Sequence, residues 1–384
     1  MGEAKAARRS VLVYRRRYLP ISETFIVDHL DSLRRWSPTP IYEDAVAEGE
    51  GIASERHAAR GVLPDRRRRL AKAALTRLGH SSQLSASRRE TGARLLHAHF
   101  LTDAVRMTRF CERHRLPLIV TAHGFDATIS DDEWRKTPAG RAFLRERARL
   151  AKTATLIVCV SDFIRKEIGS RGFPQHKLVT CRLGIDLGRY RPGPPAHERS
   201  GVLFAGRLVE KKDPEFLLRA WRLLPADVRA QGLIIIGDGP LRPAIEAAVR
   251  DAPEVRVLGA QPRHVVQDMM ARARVFAFPS RRADSGDAEG MPIVTMEAQA
   301  LGTPIMTVDA GPIREAVSDG ESALIVPQGD VGAYAAAMAR VLCDDTLAAR
   351  LGAGGPQVAA GRFDLASNTA ALEEIYDQYG SRDE

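Results

Sequence analysis

Residues 275–302 read VFAFPSRRADSGDAEGMPIVTMEAQALG. The opening Val275–Phe278 is apolar on both faces, as a strand buried inside a parallel sheet must be. A polar loop, Arg281–Ala288, follows. Gly290 lacks a Cβ, so its backbone can approach a ligand closely, and the fixed φ of Pro292 suits the first turn of a helix. From there the chain continues as one apolar helix that Gly302 ends. Strand, loop and helix in that order form half of a βαβ unit, which predicts a doubly wound α/β sheet.

The same alternation extends both ways. Downstream lie the strand candidates Pro304–Val308 and Ala323–Val326. Upstream lie Val202–Ala205, Leu233–Ile236 and Val255–Leu258. A Pro/Gly-rich stretch, residues 191–201, precedes these. Before it a second series contains the strands Leu95–His99, Leu118–Thr121, Thr155–Val160 and the weaker Leu178–Arg182, with helical stretches at 102–114, 139–151 and 162–170. Two such series predict two Rossmann-like domains facing each other across a cleft. The expected division is 1–190, completed by a C-terminal helix within 366–384, and 191–365. A chain of 384 residues is long enough for both cores.

Charge is unevenly placed. Residues 1–120 carry 23 Lys and Arg against 13 Asp and Glu, whereas the remainder is nearly balanced. An acidic partner should therefore meet the N-terminal half first. The run RRRRLAKAALTRLGH, residues 66–80, repeats leucine and alanine at helical spacing with cations between, as a basic amphipathic helix does. Two readings stay open for it, an anionic membrane surface or a solvated basic face. Nucleic acid is not expected, because no recognition motif or aromatic platform accompanies the arginines. No apolar run has the length of a signal peptide or a membrane span. Cys111, Cys159, Cys181 and Cys343 are scattered, without zinc-site or disulfide spacing. A cytoplasmic protein is expected, at most peripheral on the inner face of a membrane.

The chemistry concentrates at strand ends, where doubly wound sheets bind ligands. A helix starting near Gly290 aims backbone N–H groups and the positive end of its dipole at an anion such as a diphosphate. Gly290, Met291, Pro292 and Ile293 make up that end. Glu289 and Glu297 flank it, about 12 Å apart if the intervening residues are helical, and each accepts hydrogen bonds from hydroxyls. In Phe204-Ala-Gly-Arg-Leu-Val-Glu-Lys-Lys-Asp213, Gly206 permits close approach while Arg207 and Lys212 supply cations for a diphosphate. Ile234-Ile-Ile-Gly-Asp-Gly-Pro-Leu241 is a further glycine-rich strand end, equally readable as a plain tight turn. In the N-terminal half, Thr121-Ala-His-Gly-Phe-Asp126 puts His123 at a strand terminus. His97 and His99 alternate along a strand without a third metal ligand nearby in sequence, and no D-x-D triplet is present.

These motifs, with Gly311–Gly320 and ALIVPQGD after it, resemble the retaining GT-B glycosyltransferases of family 4. The resemblance is strong over 200–345 and thinner over 10–190. There Leu19-Pro-Ile-Ser-Glu-Thr-Phe-Ile26, HAHF and TAHGFD look like the branch that builds exopolysaccharide and colanic-acid repeats. It implies that Glu289 contacts the donor sugar, Glu297 the ribose, Arg207 and Lys212 the diphosphate, and that His123 lies by the sugar. Asp213 departs from the family pattern, where glycine is common, and Leu183-Gly-Ile-Asp186 replaces Asn-Gly-x-Asp. The implied activity is retaining transfer of a hexose-type sugar, from UDP ahead of GDP, to a glycan or lipid-linked sugar. The nucleotide-sugar is a substrate, so no cofactor and no metal are expected. A nucleotide-sugar epimerase or phosphorylase on this fold, or a non-catalytic nucleotide-sugar-binding partner, are the alternatives.

Overall fold

The computed structural model describes residues 8–18, 23–45, 57–64 and 66–380. Leu19–Ser22 of the LPISETFI stretch therefore lie outside the described residues. The chain divides into two compact units, residues up to Gly184 with Leu365 onward, and Ile185–Asp364. The division precedes the Pro/Gly-rich stretch because Ile185 is tied into the second unit, its N–H donating to Phe363 O at 2.9 Å.

The first unit holds a parallel sheet of β1 (Arg9–Arg17), β2 (Trp36–Asp44), β3 (Arg60–Gly61), β4 (Ala93–His99), β5 (Leu118–Ala122), β6 (Leu156–Cys159) and β7 (Leu178–Thr180). Its order is β3-β2-β1-β4-β5-β6-β7. Neither β1 nor β2 is obvious in the sequence. The end of β1 is Arg15-Arg16-Arg17, and β2 contains Pro38 and Pro40. Strand alternation puts both prolines on one side of β2. On that side, among the described residues, β3 pairs only with Ile41 and Tyr42, so the missing N–H groups of the prolines interrupt no strand pairing. The expected helix at 102–114 is two pieces, Leu101–Ala104 and Thr108–Arg113.

The last helix, Leu365–Gly380, belongs to this unit. Its Leu372 and Tyr376 join Val11, Val13, Leu95 and Trp36 in one apolar cluster. A single buried carboxylate fixes its position, since Glu373 Oε1 accepts the backbone N–H groups of Arg34, Arg35 and Trp36 at 2.8, 2.6 and 3.0 Å.

The second unit holds β8 (Ser200–Ala205), β9 (Leu233–Ile236), β10 (Val255–Gly259), β11 (Ala273–Phe278), β12 (Ile305–Val308) and β13 (Ala323–Val326). They are parallel, in the order β10-β9-β8-β11-β12-β13. The strand order reverses between β8 and β11, and the crevice at their C-terminal ends is where such sheets bind ligands. Both units thus have the α/β, Rossmann-like architecture of a GT-B fold. Among the described residues, no helix is long and apolar enough to cross a membrane.

Replacing Glu373 by Ala strands three amides at the start of β2. At about 1 kcal/mol or more for each lost partner, Glu373→Ala should cost about 3 kcal/mol, read as a lower urea midpoint for the first unit.

Candidate active site

The loops leaving β8 and β11 meet at the reversal point of the second sheet. Four consecutive side chains after β8 each pair with the loop after β11. Glu210 Oε1 and Asp213 Oδ2 lie 3.0 Å from Arg281. Lys211 Nζ lies 3.0 Å from Asp287 Oδ1, and Lys212 Nζ 2.9 Å from Glu289 Oε1. Backbone bonds close the same seam, with Arg281 N–H on Lys211 O at 2.8 Å and Asp284 N–H on Glu210 Oε1 at 2.8 Å.

Lys212 is held from three sides. Its methylenes run over Gly206, where an added Cβ would come within 3.6 Å of Cε. Its ammonium sits 4.7 Å from the centre of the Phe278 ring. Its charge faces Glu289, and both side chains are only 14% exposed. Burial alone would push the Glu289 carboxyl up. Lys212 and then Lys211 outweigh that and hold it below the ordinary carboxylate value. In Asp287 burial prevails over Lys211, and the carboxyl is raised. Arg207 is exposed and, among the described residues, makes no ion pair, leaving its guanidinium open to a ligand.

Asp213 explains the departure from glycine. It sits at φ 44°, ψ 52°, the left-handed region that favours glycine. Its carboxylate compensates by accepting the Phe216 N–H at 3.2 Å, capping the helix Pro214–Arg222, while also binding Arg281. The Gly237-Asp-Gly239 turn proves to be a packing device. A Cβ on Gly237 would meet Gly206 O at 1.8 Å, and one on Gly239 would meet Leu208 O at 2.5 Å. The turn thus backs the Gly206–Leu208 backbone.

The motif helix differs from expectation at its start. It spans Ile293–Ala300, with Pro292 as N-cap at φ −79°, ψ 100° rather than in the first turn. Glu289 therefore precedes the helix on a loop, and Glu297 is one turn into it. Gly290, Met291 and Pro292 are buried and Ile293 is partly buried, so the first three offer backbone rather than side chains. The inner face is fixed by Gln299, which donates to Ala316 O at 2.9 Å and accepts from Ser322 Oγ at 2.8 Å. A helix carrying Gly352 and Gly355 presses on the same face. A Cβ at either would come within 2.8 Å of the Gly302 or Gln299 carbonyl oxygen.

Glu297 is no solvated surface glutamate. Its side chain is 13% exposed. Tyr190 Oη donates to its Oε1 at 2.7 Å, and Arg263 Nη2 donates to both Tyr190 Oη at 2.7 Å and that Oε1 at 3.2 Å. Sequence reasoning missed Tyr190, Arg263, Arg281 and Lys211. Tyr190 and Arg263 are partners from distant stretches without a motif of their own, while Lys211 and Arg281 lie inside the motif stretches but pair with residues far along the chain. Asp213 alone left a signal, as a non-glycine residue at a glycine position.

In the first unit His123 follows β5. Its Nε2 is 2.9 Å from His99 Nδ1, so one ring donates to the other. His97 continues the cluster, 4.5 Å from His99 between ring centres and bonded to Thr121 Oγ1 at 2.7 Å and Tyr376 Oη at 2.5 Å. Asp126 accepts the N–H groups of His123, Gly124 and Leu101 at 3.1, 2.9 and 2.8 Å, fixing the backbone around His123. Among the described residues, His123 Nδ1 is buried without a partner. Burial, then Arg15 and the neighbouring histidines, hold His123 well below the ordinary imidazole value. At the end of β1, Arg15 pairs with Glu23 at 2.5 Å and also with Asp103. Among the described residues, no three His, Cys, Asp or Glu side chains group as a metal site.

Two parallel-sheet units with this site define a GT-B glycosyltransferase. Comparison with known proteins agrees. The description "Glycosyl transferases group 1" matches residues 199–344, and "Glycosyltransferase Family 4" matches residues 39–189. The chain belongs to glycosyltransferase family 4. It is 30% identical over 272 residues to a GDP-mannose-dependent alpha-(1-6)-phosphatidylinositol monomannoside mannosyltransferase of Mycolicibacterium smegmatis, covering 67% of this chain and 69% of that one. It is 32% identical over 228 residues to a protein named as a colanic acid biosynthesis glycosyltransferase of Salmonella typhimurium, 56% of this chain but only 53% of that one. Its fold matches the Anabaena HepE structure with UDP and glucose at a TM-score of 0.75 and 17% identity, covering 96% and 99% of the two chains.

The buried histidines predict a pH dependence. Burial lowers His29 to about 4 and His97 to about 3. As pH falls, the unfolded chain takes up protons that the folded one does not, so stability is intact above about pH 6.5 and declines below it. Urea midpoints should fall from pH 6.5 to 4.5. His29→Leu should flatten that slope by about 1 kcal/mol per pH unit.

Proposed function

We propose that the protein is a retaining, metal-independent glycosyltransferase that moves a hexose-type sugar from a nucleoside diphosphate sugar to a glycan or lipid-linked sugar acceptor. The observation that carries the reading is the Lys212–Glu289 pair beside Gly206 and the start of the helix Ile293–Ala300. A buried cation, a buried carboxylate and a helix amino end within one loop system suit a diphosphate with a sugar attached. Lys212 and Arg207 take the diphosphate, with backbone from Gly206 and from Gly290 to Ile293. Glu289 accepts sugar hydroxyls and Glu297 the ribose diol. The assignment of His123 to the sugar rests on its motif.

In the proposed reaction the bond from the anomeric carbon to the β-phosphate oxygen breaks. The acceptor oxygen bonds that carbon on the same face, and its proton passes to the departing phosphate. Charge grows on that phosphate, and Lys212, Arg207 and the helix end are the groups proposed to stabilise it. Among donors, the name of the mannosyltransferase relative supports GDP-mannose, alongside the UDP-sugars expected from sequence.

A lipid-linked acceptor is favoured by the helix Arg68–Leu78. Leu75 is buried, while Leu70 and Leu78 stand 68% and 67% exposed beside the exposed Arg66, Arg67, Arg69 and Arg77. Apolar and cationic groups side by side suit the face of an anionic membrane, and with it a cytoplasmic, peripheral location.

A thermal-shift screen of UDP- and GDP-sugars should raise the melting temperature for one donor. With that donor, Lys212→Ala and Arg207→Ala should each lower turnover about 10²–10³-fold, and product NMR should show retained configuration. Full activity of either variant, or inverted product, would sink the corresponding assignment. Tyr190→Phe removes one hydrogen bond to a charged carboxylate, so the donor KM should rise about tenfold at nearly constant kcat. An unchanged KM would separate Tyr190 from Glu297.

A further inference from the structure

The first sheet has a second concavity, at the edge opposite His123. It has a volume of about 1460 Å³ and lies where β4, β5 and β6 begin, with Tyr379 of the last helix on its wall. Among the described residues, Arg88, Arg89, Arg94, Arg115, Arg149 and Lys152 line it, against one acid, Glu112. That acid is already taken up, accepting from Arg149 at 2.7 Å and from the Thr153 hydroxyl at 2.5 Å. Among the described residues, Arg88, Arg89, Arg115 and Lys152 make no ion pair, although most arginines around them do.

Part of this charge answers helix ends. Arg88 and Arg89 lie in the last turn of the helix Ser82–Thr91, and Lys152 in that of Pro138–Thr153, beside negative dipole ends. Arg115, held at φ 48°, closes the end of the helix Thr108–Arg113, its N–H donating to Glu112 O at 3.3 Å. Arg94 serves no helix end, because it lies on a strand. A positive field also survives at the wall. His114, beside the cavity, is lowered by burial and then by Arg88, Arg113, His80 and Arg89. Like charges gathered along one concave, solvent-open surface focus their field outward and favour a polyanion. The volume exceeds the roughly 300–1,000 Å³ of an ordinary small-molecule site. It leaves room for a phosphate chain and an attached organic group. Arginine forks match phosphate oxygens two at a time.

We propose that this cavity is an anion site for an oligophosphate, a ligand with three or more phosphate charges, distinct from the donor site of the second unit. The ligand is either free in solution or the headgroup of a phosphorylated lipid.

The test uses the full chain with inorganic tripolyphosphate as probe in titration calorimetry. Binding to the wild type is expected, weakened at least tenfold by Arg89→Glu with Arg115→Glu and unchanged by Lys212→Ala. Equal thermal midpoints show that the variants fold. Arg89→Gln with Arg115→Gln replaces the charge reversal if that variant does not. No binding by the wild type at millimolar probe, or equal binding by the arginine variants, overturns the proposal. Loss on Lys212→Ala alone would place the phosphate in the donor site and also overturn it. Sedimentation with vesicles containing a phosphatidylinositol bisphosphate separates the sources. Co-sedimentation that tripolyphosphate competes away and the arginine variants lose identifies a lipid headgroup. Absence of co-sedimentation with calorimetric binding intact identifies a soluble ligand.

Discussion

The second unit depends on a seam of opposite charges between two loops. Neither loop has an apolar core of its own, and together they carry five acids and five cations, over 207–213 and 281–289. Exposed pairs of this kind contribute little singly. Here they form a contiguous set, and the Lys212–Glu289 pair is mostly withdrawn from solvent. Removing one member leaves a buried charge without compensation, a loss larger than the pair's own net value. The seam thus fixes the loop after β11, and that loop delivers Glu289 and the start of the motif helix to the reversal point of the sheet.

Behind the seam the constraint is steric. Gly237 lies so close to the Gly206 carbonyl that no side chain fits, and Gly352 and Gly355 bring one helix against the backbone around the motif helix. Helix and loop are therefore pressed from behind by backbone and held in front by charge. Asp213 belongs to both sets. It accepts the strain of a left-handed conformation, of order 1–2 kcal/mol, which its capping bond and its pair with Arg281 offset.

What the sequence revealed follows from the range of each interaction. The strands of the second unit and the EGMP helix are local patterns of apolar residues, glycine and proline, and they were legible. The expected helix start, near Gly290, is about three residues ahead of the observed one at Ile293. Proline satisfies both the N-cap and the first turn, and only the backbone geometry of Pro292 decides between them. β1 and β2 stayed hidden because their arginines and prolines contradict local strand preference. The prolines of β2 face the side where, among the described residues, β3 pairs only with Ile41 and Tyr42, and Arg15 of β1 is answered by Glu23 and Asp103. Arg263, Tyr190 and Arg281 were illegible because each acts on a residue 34 to 107 positions away. The two alternating histidines read as an unlikely metal pair. They belong instead to a hydrogen-bonded cluster closed by Tyr376, from a helix nearly 280 residues further along.

These pairs bear on how a donor would be bound. Both proposed recognition carboxylates are already engaged by the protein, Glu289 by Lys212 and Glu297 by Tyr190 and Arg263. A buried carboxylate without a partner would cost several kcal/mol, so engagement keeps each charged and oriented before any ligand arrives. In the proposed reaction, binding a diphosphate sugar would then be an exchange. Lys212 would turn part of its charge from Glu289 to phosphate, while a sugar hydroxyl would supply the hydrogen bond Glu289 gives up. Little net Coulomb energy would be gained in the ground state. As the bond to the sugar broke, charge would build on the phosphate oxygen, and the same ammonium would interact with it more strongly. A cation that begins paired to a neighbouring carboxylate would thus place its advantage in the transition state rather than in donor affinity.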